Sequence, residues 1–321
     1  MSASPSSGAA RQLIVPFAAT LSEAGRFALR ETPLPNLARL LARLQPGARL
    51  GSDEFSSSPP HEAALAAAWG WQGESGGWPF AARAAAADGI AVGERAWGLL
   101  SPVHWAVGRD RITLAEPALL ALEADESRAF FEAVRELFES EGFTLAWGAP
   151  LRWYAAHESL AALPTASLDR VVGRNVDRWL PEGRAARLLR RLQNEVQMLL
   201  YTHALNDHRE AQGRPAVNAL WLSGCGRFQP ADESAVALDD RLRAPLLAED
   251  WAAWREAWRA LDAGPLAALR QRVEASEPGL ALTLCGERLA QRWDAVPTPW
   301  WQRLAQRLRP APEPAAALEA L

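Results

Sequence analysis

Residues 194–228 read NEVQMLLYTHALNDHREAQGRPAVNALWLSGCGRF, and the rest of the chain is read outward from them. His203, Asn206 and Arg209 fall three apart, and a polar turn leads from Arg209 to Gly213. Val217 to Leu222 reads as a buried strand that ends in a Gly-x-Gly turn at Gly224 and Gly226. A strand running into a glycine turn is where α/β proteins often place ligands. The plainer reading of the same residues is a capped helix, a loop and a core strand.

A chain of 321 residues has room for one large domain or two ordinary ones. Hydrophobic residues at 49% against 22% charged predict a packed core. A net charge of -4 leaves no electrostatic footprint for nucleic acid or an anionic membrane, so neither is an expected partner. All 34 basic residues are Arg, which excludes a Schiff-base or P-loop lysine. Cys225 and Cys285 stand far apart and form neither a metal spacing nor a disulfide framework. A reducing compartment fits. The apolar run from Leu13 to Leu21 is broken by Pro16, and no run is long enough to span a membrane, so a cytoplasmic location is expected.

Taken in order, residues 1–11 read as a disordered tail. Gln12–Phe17 reads as the first strand of a parallel sheet, and Leu34–Leu44 as a short helix. A polar loop follows from Gly51 to Pro60, then Ala-rich helices at His61–Trp69 and Trp78–Ala87. Arg95–Leu100 and Arg111–Leu114 are candidate strands, with a turn at Gly108–Asp110. Glu123–Glu141 has strong helical periodicity. Phe143–Trp147 and Leu151–Ala155 pair as a hairpin, and Gly183–His203 is a long helix. Helices at Glu249–Leu261 and Pro265–Ala275 are broken by Gly264–Pro265. A strand at Leu280–Cys285 and a helix at Pro299–Leu308 complete the series, and residues 310–321 read as a second tail. Strands alternate with helices, so the class is α/β.

The segment HALNDHREAQGRPAVNALWLSGCGR resembles the HPvNxxRxxxGxxpaNxiWlwGqG segment of the archaeal-type cofactor-independent phosphoglycerate mutases, of the alkaline phosphatase superfamily. LDRVVGRNVDRWLPEG, AWGAPLRWY, WPFAARAAAADGIAVGERAW and TPLPNLARLLARL resemble further family elements in matching order, together covering most of Gln12 to Phe228. In length and wording the chain is most similar to a smaller proteobacterial group, the RpfE-type regulatory family. The resemblance implies an alkaline-phosphatase-like core sheet flanked by helices, with an inserted α/β domain. The expected core is 12–108 with 205–309, and the insert is 109–204.

The resemblance also implies a serine nucleophile and two metal ions, which lower the serine's pKa and neutralise the transferring phosphoryl group. This chain departs from that pattern. Its first strand ends in Pro16-Phe17 where the family carries a metal-binding Asp-Gly. His61, in PPHEAALAAAWGW, takes the serine's place, and Cys285-Gly286 replaces a family Asp-His pair. Gly98, in ERAWGLL, stands where the family has an Arg. A pseudoenzyme with no metal and no cofactor is expected, with a regulatory or binding role. An active phosphoglycerate mutase, phosphotransferase or phosphatase with a rearranged site is the alternative.

His61 is a weak candidate for a phosphohistidine nucleophile, and more often a first-turn His is structural. Cys225 can be read as a nucleophile or as a small buried residue. Arg152, Asp169, His203, Asn206, Arg209 and Asn218 are the candidate ligand-binding residues. In one account Arg152 and Arg209 receive a phosphate or carboxylate as planar forks. In the other, the Asn and His residues satisfy nearby backbone groups and Arg209 pairs with a carboxylate such as Asp169. The expected partner is an anionic metabolite or another protein. Trp251, Trp254 and Trp258 share one helix face, either as core or as a partner surface.

Overall fold

The structure, a computed structural model, describes residues 10–183, 186–296 and 312–321. In chain order its strands are β1 (Gln12–Val15), β2 (Gln45–Gly51), β3 (Ala96–Val103), β4 (Trp105–Val107), β5 (Ile112–Leu114), β6 (Thr144–Ala149), β7 (Arg152–Ala156), β8 (Ala219–Arg227), β9 (Val236–Leu238), β10 (Ala281–Cys285) and β11 (Leu289–Asp294). Its helices are α1 (Glu23–Arg30), α2 (Pro35–Leu41), α3 (Pro60–Ala68), α4 (Phe80–Ala87), α5 (Ala124–Glu139), α6 (Leu168–Val171), α7 (Ala186–Tyr201), α8 (Ala204–Ala211), α9 (Arg243–Leu247), α10 (Trp251–Leu261), α11 (Ala267–Glu274) and α12 (Pro314–Glu319). The class is α/β. The chain divides into two compact units: one takes residues up to Glu54, Pro59–Gly70 and those from Ala231 onward, the other Phe55–Ser58 and Trp71–Pro230.

The first unit is built on a five-stranded sheet in the order β2-β11-β10-β1-β9. β1 runs parallel to both neighbours, with Val15 opposite Leu284 and Gln12 opposite Val236, while β11 is antiparallel to β10 and β2. All four residues of QLIV are buried, as a central parallel strand requires. Leu37, Leu40, Trp254, Trp258 and Leu282 meet in one core, so the tryptophans of α10 are packing residues and not a partner surface.

The expected break at Gly264–Pro265 does not occur. A π-turn over Asp262–Leu266 carries α10 into α11 and absorbs the N–H that Pro265 lacks. The buried Asp262 carboxylate accepts N–H bonds from Asn36 at 3.1 Å and Leu37 at 2.8 Å, capping α2, which has no cap of its own. The expected C-terminal tail is also corrected. Residues 314–319 form α12, and Leu318 and Leu321 are buried in the same core. The expected helix at 299–308 and residues 1–9 of the N-terminal tail lie outside the described residues. Within that tail, Ala10 is buried and Arg11 donates its N–H to Ala235 O at 3.0 Å.

The second unit is built on a four-stranded antiparallel sheet, β6-β7-β3-β8. Phe130, Phe138, Trp153, Leu192 and Val196 form the core under α5 and α7. On the sheet's other face Ala81, Ala82 and Ala85 of α4 pack against Trp97 and Tyr154. β8 does not end in a Gly-x-Gly turn. It runs through Gly224 and Gly226 to Arg227, with a bulge where its register against β3 shifts. Gly224 has φ +63°, and a Cβ there would lie 2.9 Å from Ala81 N, so glycine is what lets the start of α4 approach the strand.

The boundaries therefore differ from 109 and 204. β3 and β8, expected in the core, pair with each other, and β3 pairs with β7, so both belong to the second unit. That unit's four-stranded sheet is wholly antiparallel, and β4 and β5 pair antiparallel beside it, whereas β1 of the first unit runs parallel to both β9 and β10.

Candidate functional site

All six candidate ligand residues fall in the second unit. His203 is the N-cap of α8, where Nδ1 accepts from Leu205 N at 3.3 Å and the ring lies 5.0 Å from that of Phe130. One turn on, Asn206 is buried. Its Nδ2 donates to Leu200 O and Val217 O at 2.8 Å each, and its Oδ1 accepts from Val217 N at 2.9 Å. Asn218 does similar work on the neighbouring strand, with Oδ1 accepting from Trp105 N at 2.7 Å and Nδ2 donating to Trp105 O at 3.0 Å. These amides satisfy the backbone of the turns around them.

Arg209 is fully buried and pairs with Glu126 at 2.7 Å, not with Asp169. Its Nε donates to Pro215 O at 2.9 Å and its Nη2 to Leu120 O at 2.5 Å. Arg214 reaches the same Glu126 oxygen at 3.1 Å. The preference for Glu126 follows from position: it lies in the first turn of α5, next to the Leu120 carbonyl that Arg209 also holds. Asp169, on α6, is half-buried and is not free.

Arg152 opens β7 and forms a two-pronged pair with Asp88, Nε to Oδ2 at 3.0 Å and Nη2 to Oδ1 at 2.8 Å. Tyr154 donates its hydroxyl to Asp88 Oδ2 at 2.6 Å. Half of the Arg152 side chain is in solvent, so this is the most open of the six positions. The Arg152 bond holds the Asp88 carboxyl below its ordinary value against the opposing effect of burial, and Tyr154 adds to the lowering. Burial, with Asp88 second, pushes the Tyr154 phenol up. Gly148 makes room for the cluster: a Cβ there would lie 2.4 Å from Asp88 Oδ2. Asp88, Tyr154, Glu126 and Arg214 were not among the sequence candidates. Their pairings join residues far apart in sequence, 64 positions for Arg152 with Asp88 and 83 for Arg209 with Glu126.

In the first unit, the carboxyl ends of β1 and β10 lie side by side, with Ala18 N donating to Cys285 O at 2.7 Å. Phe17 has φ +57°, and its ring sits 5.2 Å from that of the buried His61. Glu287, beyond Gly286, accepts from Thr20 Oγ1 and Leu21 N, each at 2.8 Å. These residues do not fit the two metal ions the resemblance implies: Pro16, Phe17 and Gly286 have no ligating side chain, and Cys285, His61 and Glu287 do not gather into a donor set that could hold one. Among the described residues no group of three or more His, Cys, Asp and Glu could hold a metal. Burial raises both thiols, that of Cys225 to about 12, so Cys225 is the small buried residue rather than a nucleophile near neutrality. No helix among the described residues is long and apolar enough to cross a membrane.

No protein-family model matches the chain, and no curated protein matches it significantly. Solved structures with some likeness include a cofactor-independent phosphoglycerate mutase from Thermoplasma acidophilum, 12% identical with a TM-score of 0.35 over 88% of this chain and 89% of that one. The PH0037 protein from Pyrococcus horikoshii is 11% identical with a TM-score of 0.41, over 88% of this chain and 87% of that one. At these scores the likenesses say nothing of what this chain binds or does.

Proposed function

We propose that this chain is a phosphoglycerate-mutase-like pseudoenzyme, akin to the RpfE-type regulatory proteins, that binds rather than turns over. The observation that carries the reading is the aromatic contact of Phe17 with His61 at the carboxyl ends of the parallel strands. α/β proteins place ligands and catalytic groups at such strand ends. Here that place is taken by a ring-on-ring contact beside the Pro16-Phe17 and Cys285-Gly286 pairs. The motif resemblance running in order from Gln12 to Phe228 supports the family part of the reading. The half-exposed Arg152 is the place for an anionic metabolite, which would have to take the guanidinium from Asp88, the carboxylate that now fills its fork.

The test is a mutase assay on the purified protein, with Mn²⁺ or Zn²⁺ added, alongside elemental analysis after dialysis. The expected result is no interconversion of 2- and 3-phosphoglycerate and no stoichiometric metal. Turnover, or two tightly held ions per chain, would establish the alternative of an active enzyme with a rearranged site.

A further inference from the structure

The second unit has an open pocket of about 480 Å³, counting its solvent-filled mouth, and none of the candidate ligand residues lines it. Its floor is Leu100 of β3 with Leu220 and Leu222 of β8, and its inner wall is Phe138 of α5 with Leu189 and Val196 of α7. The mouth is different in kind. Arg190 and Gln193, one turn apart on α7, stand there beside Leu180 and Pro181.

The guanidinium of Arg190 is steered by a backbone group, with Nε and Nη2 donating to Pro181 O at 3.1 and 2.8 Å. Among the described residues no carboxylate pairs with it, and the Gln193 carboxamide makes no hydrogen bond. A guanidinium has five N–H donors, so most of this one's capacity is uncommitted. An apolar recess with a few polar groups converging at its mouth is the usual form of a small-molecule site.

We infer that this pocket takes a small organic acid, with a short alkyl or acyl chain among Leu100, Leu220, Leu222 and Val196 and its carboxylate on Arg190 and Gln193. The inference stands apart from the mutase-like reading, because it uses no residue of either the Arg152 cluster or the β1 tip. Charge complementarity selects the occupant: an amine would meet the guanidinium unfavourably, and a neutral alcohol would leave it unpaired.

Calorimetric titration of the full-length protein with octanoate, 1-octanol and octylamine, each kept below its aggregation threshold, tests the assignment. Saturable one-to-one binding of octanoate is expected, with octanol weaker and octylamine weakest. Arg190→Gln changes an exposed side chain, and its melting curve checks that the fold is kept without the two bonds to Pro181 O. It should weaken octanoate about tenfold, a charge-assisted bond's worth, and leave octanol unchanged. Val196→Phe should fill the recess and abolish both, with its melting curve showing whether the fold is kept. If Val196→Phe does not fold, Leu222→Phe at the half-buried floor serves the same purpose. Absence of saturable octanoate binding, or equal binding of acid and alcohol that Arg190→Gln leaves untouched, would overturn the inference.

Discussion

Arg209 and Glu126, 2.7 Å apart, form an ion pair in which the arginine side chain has no solvent exposure. Such a pair is held by geometry: Arg209 also donates to the carbonyls of Pro215 and Leu120, so its planar fork is used in three directions. Removing one partner of a buried pair leaves the other charge without compensation. Arg209→Ala should destabilise the protein by about 3 kcal/mol, towards the low end for a buried pair because Arg214 still reaches Glu126. Urea unfolding followed by far-UV circular dichroism would measure it, and a loss under 1 kcal/mol would contradict the assignment.

The Arg152–Asp88 pair is half-exposed and should contribute little to stability at neutral pH. Its signature is in titration. The Asp88 carboxyl lies below the roughly 3.9 of an unfolded Asp, so its contribution is complete above that value and fades as pH falls through the folded one. Arg152→Ala should raise the Asp88 midpoint, read from its side-chain carbonyl carbon by NMR, and leave the melting temperature at pH 7 nearly unchanged. In wild-type protein 3-phosphoglycerate should raise that melting temperature if Arg152 receives an anion, and it should not do so in the variant. A ligand shift that survives Arg152→Ala would remove this residue from the anion-binding reading.

Asn206→Ala strips partners from Leu200 O, Val217 O and Val217 N together. Buried backbone groups left unsatisfied cost about 1–3 kcal/mol. Amide hydrogen exchange should localise the loss, with Val217 N–H protection falling before that of the β3 amides. Unchanged protection at Val217 would mean that water replaces the carboxamide without cost.

Both cysteines are buried, and burial raises both thiols. Near pH 8 the folded protein should react with Ellman's reagent far more slowly than free cysteine does, releasing its two equivalents only on unfolding in guanidinium. A fast equivalent from the native protein, mapped to Cys225 by mass spectrometry, would reopen its reading as a nucleophile.

The parts of the fold that could be read from sequence were those whose pattern is self-contained. The apolar run Leu13–Val15 read as part of a parallel-sheet strand, and the β6–β7 hairpin and α5 followed from alternation and helical periodicity. β11 escaped notice because LAQRWD carries Gln and Arg at strand positions. Their partners, Arg49 on Gln291 and Gln12 on Arg292, come from distant strands. The same limit governed the candidate site. His203, Asn206 and Asn218 act on backbone within a few residues or on the adjoining strand, and their structural role was one of the two accounts their residue types allowed. The choice of Glu126 over Asp169 by Arg209, and of Asp88 by Arg152, depends on tertiary placement that no local spacing encodes.

The parallel placement of β1 between β9 and β10 has a consequence for synthesis. QLIV is among the first residues of the described chain to leave the ribosome, yet its two neighbours, residues 236–238 and 281–285, are not yet made. At translation rates of about 5–20 residues per second, that apolar strand waits on the order of tens of seconds for a partner. The six strands of the second unit, β3 to β8, are by contrast all complete at Arg227. The nascent chain thus holds a finished antiparallel sheet and an orphan strand at the same time. β9 reaches the orphan strand first, at residue 238, and only at residue 285 does β10 close its other edge.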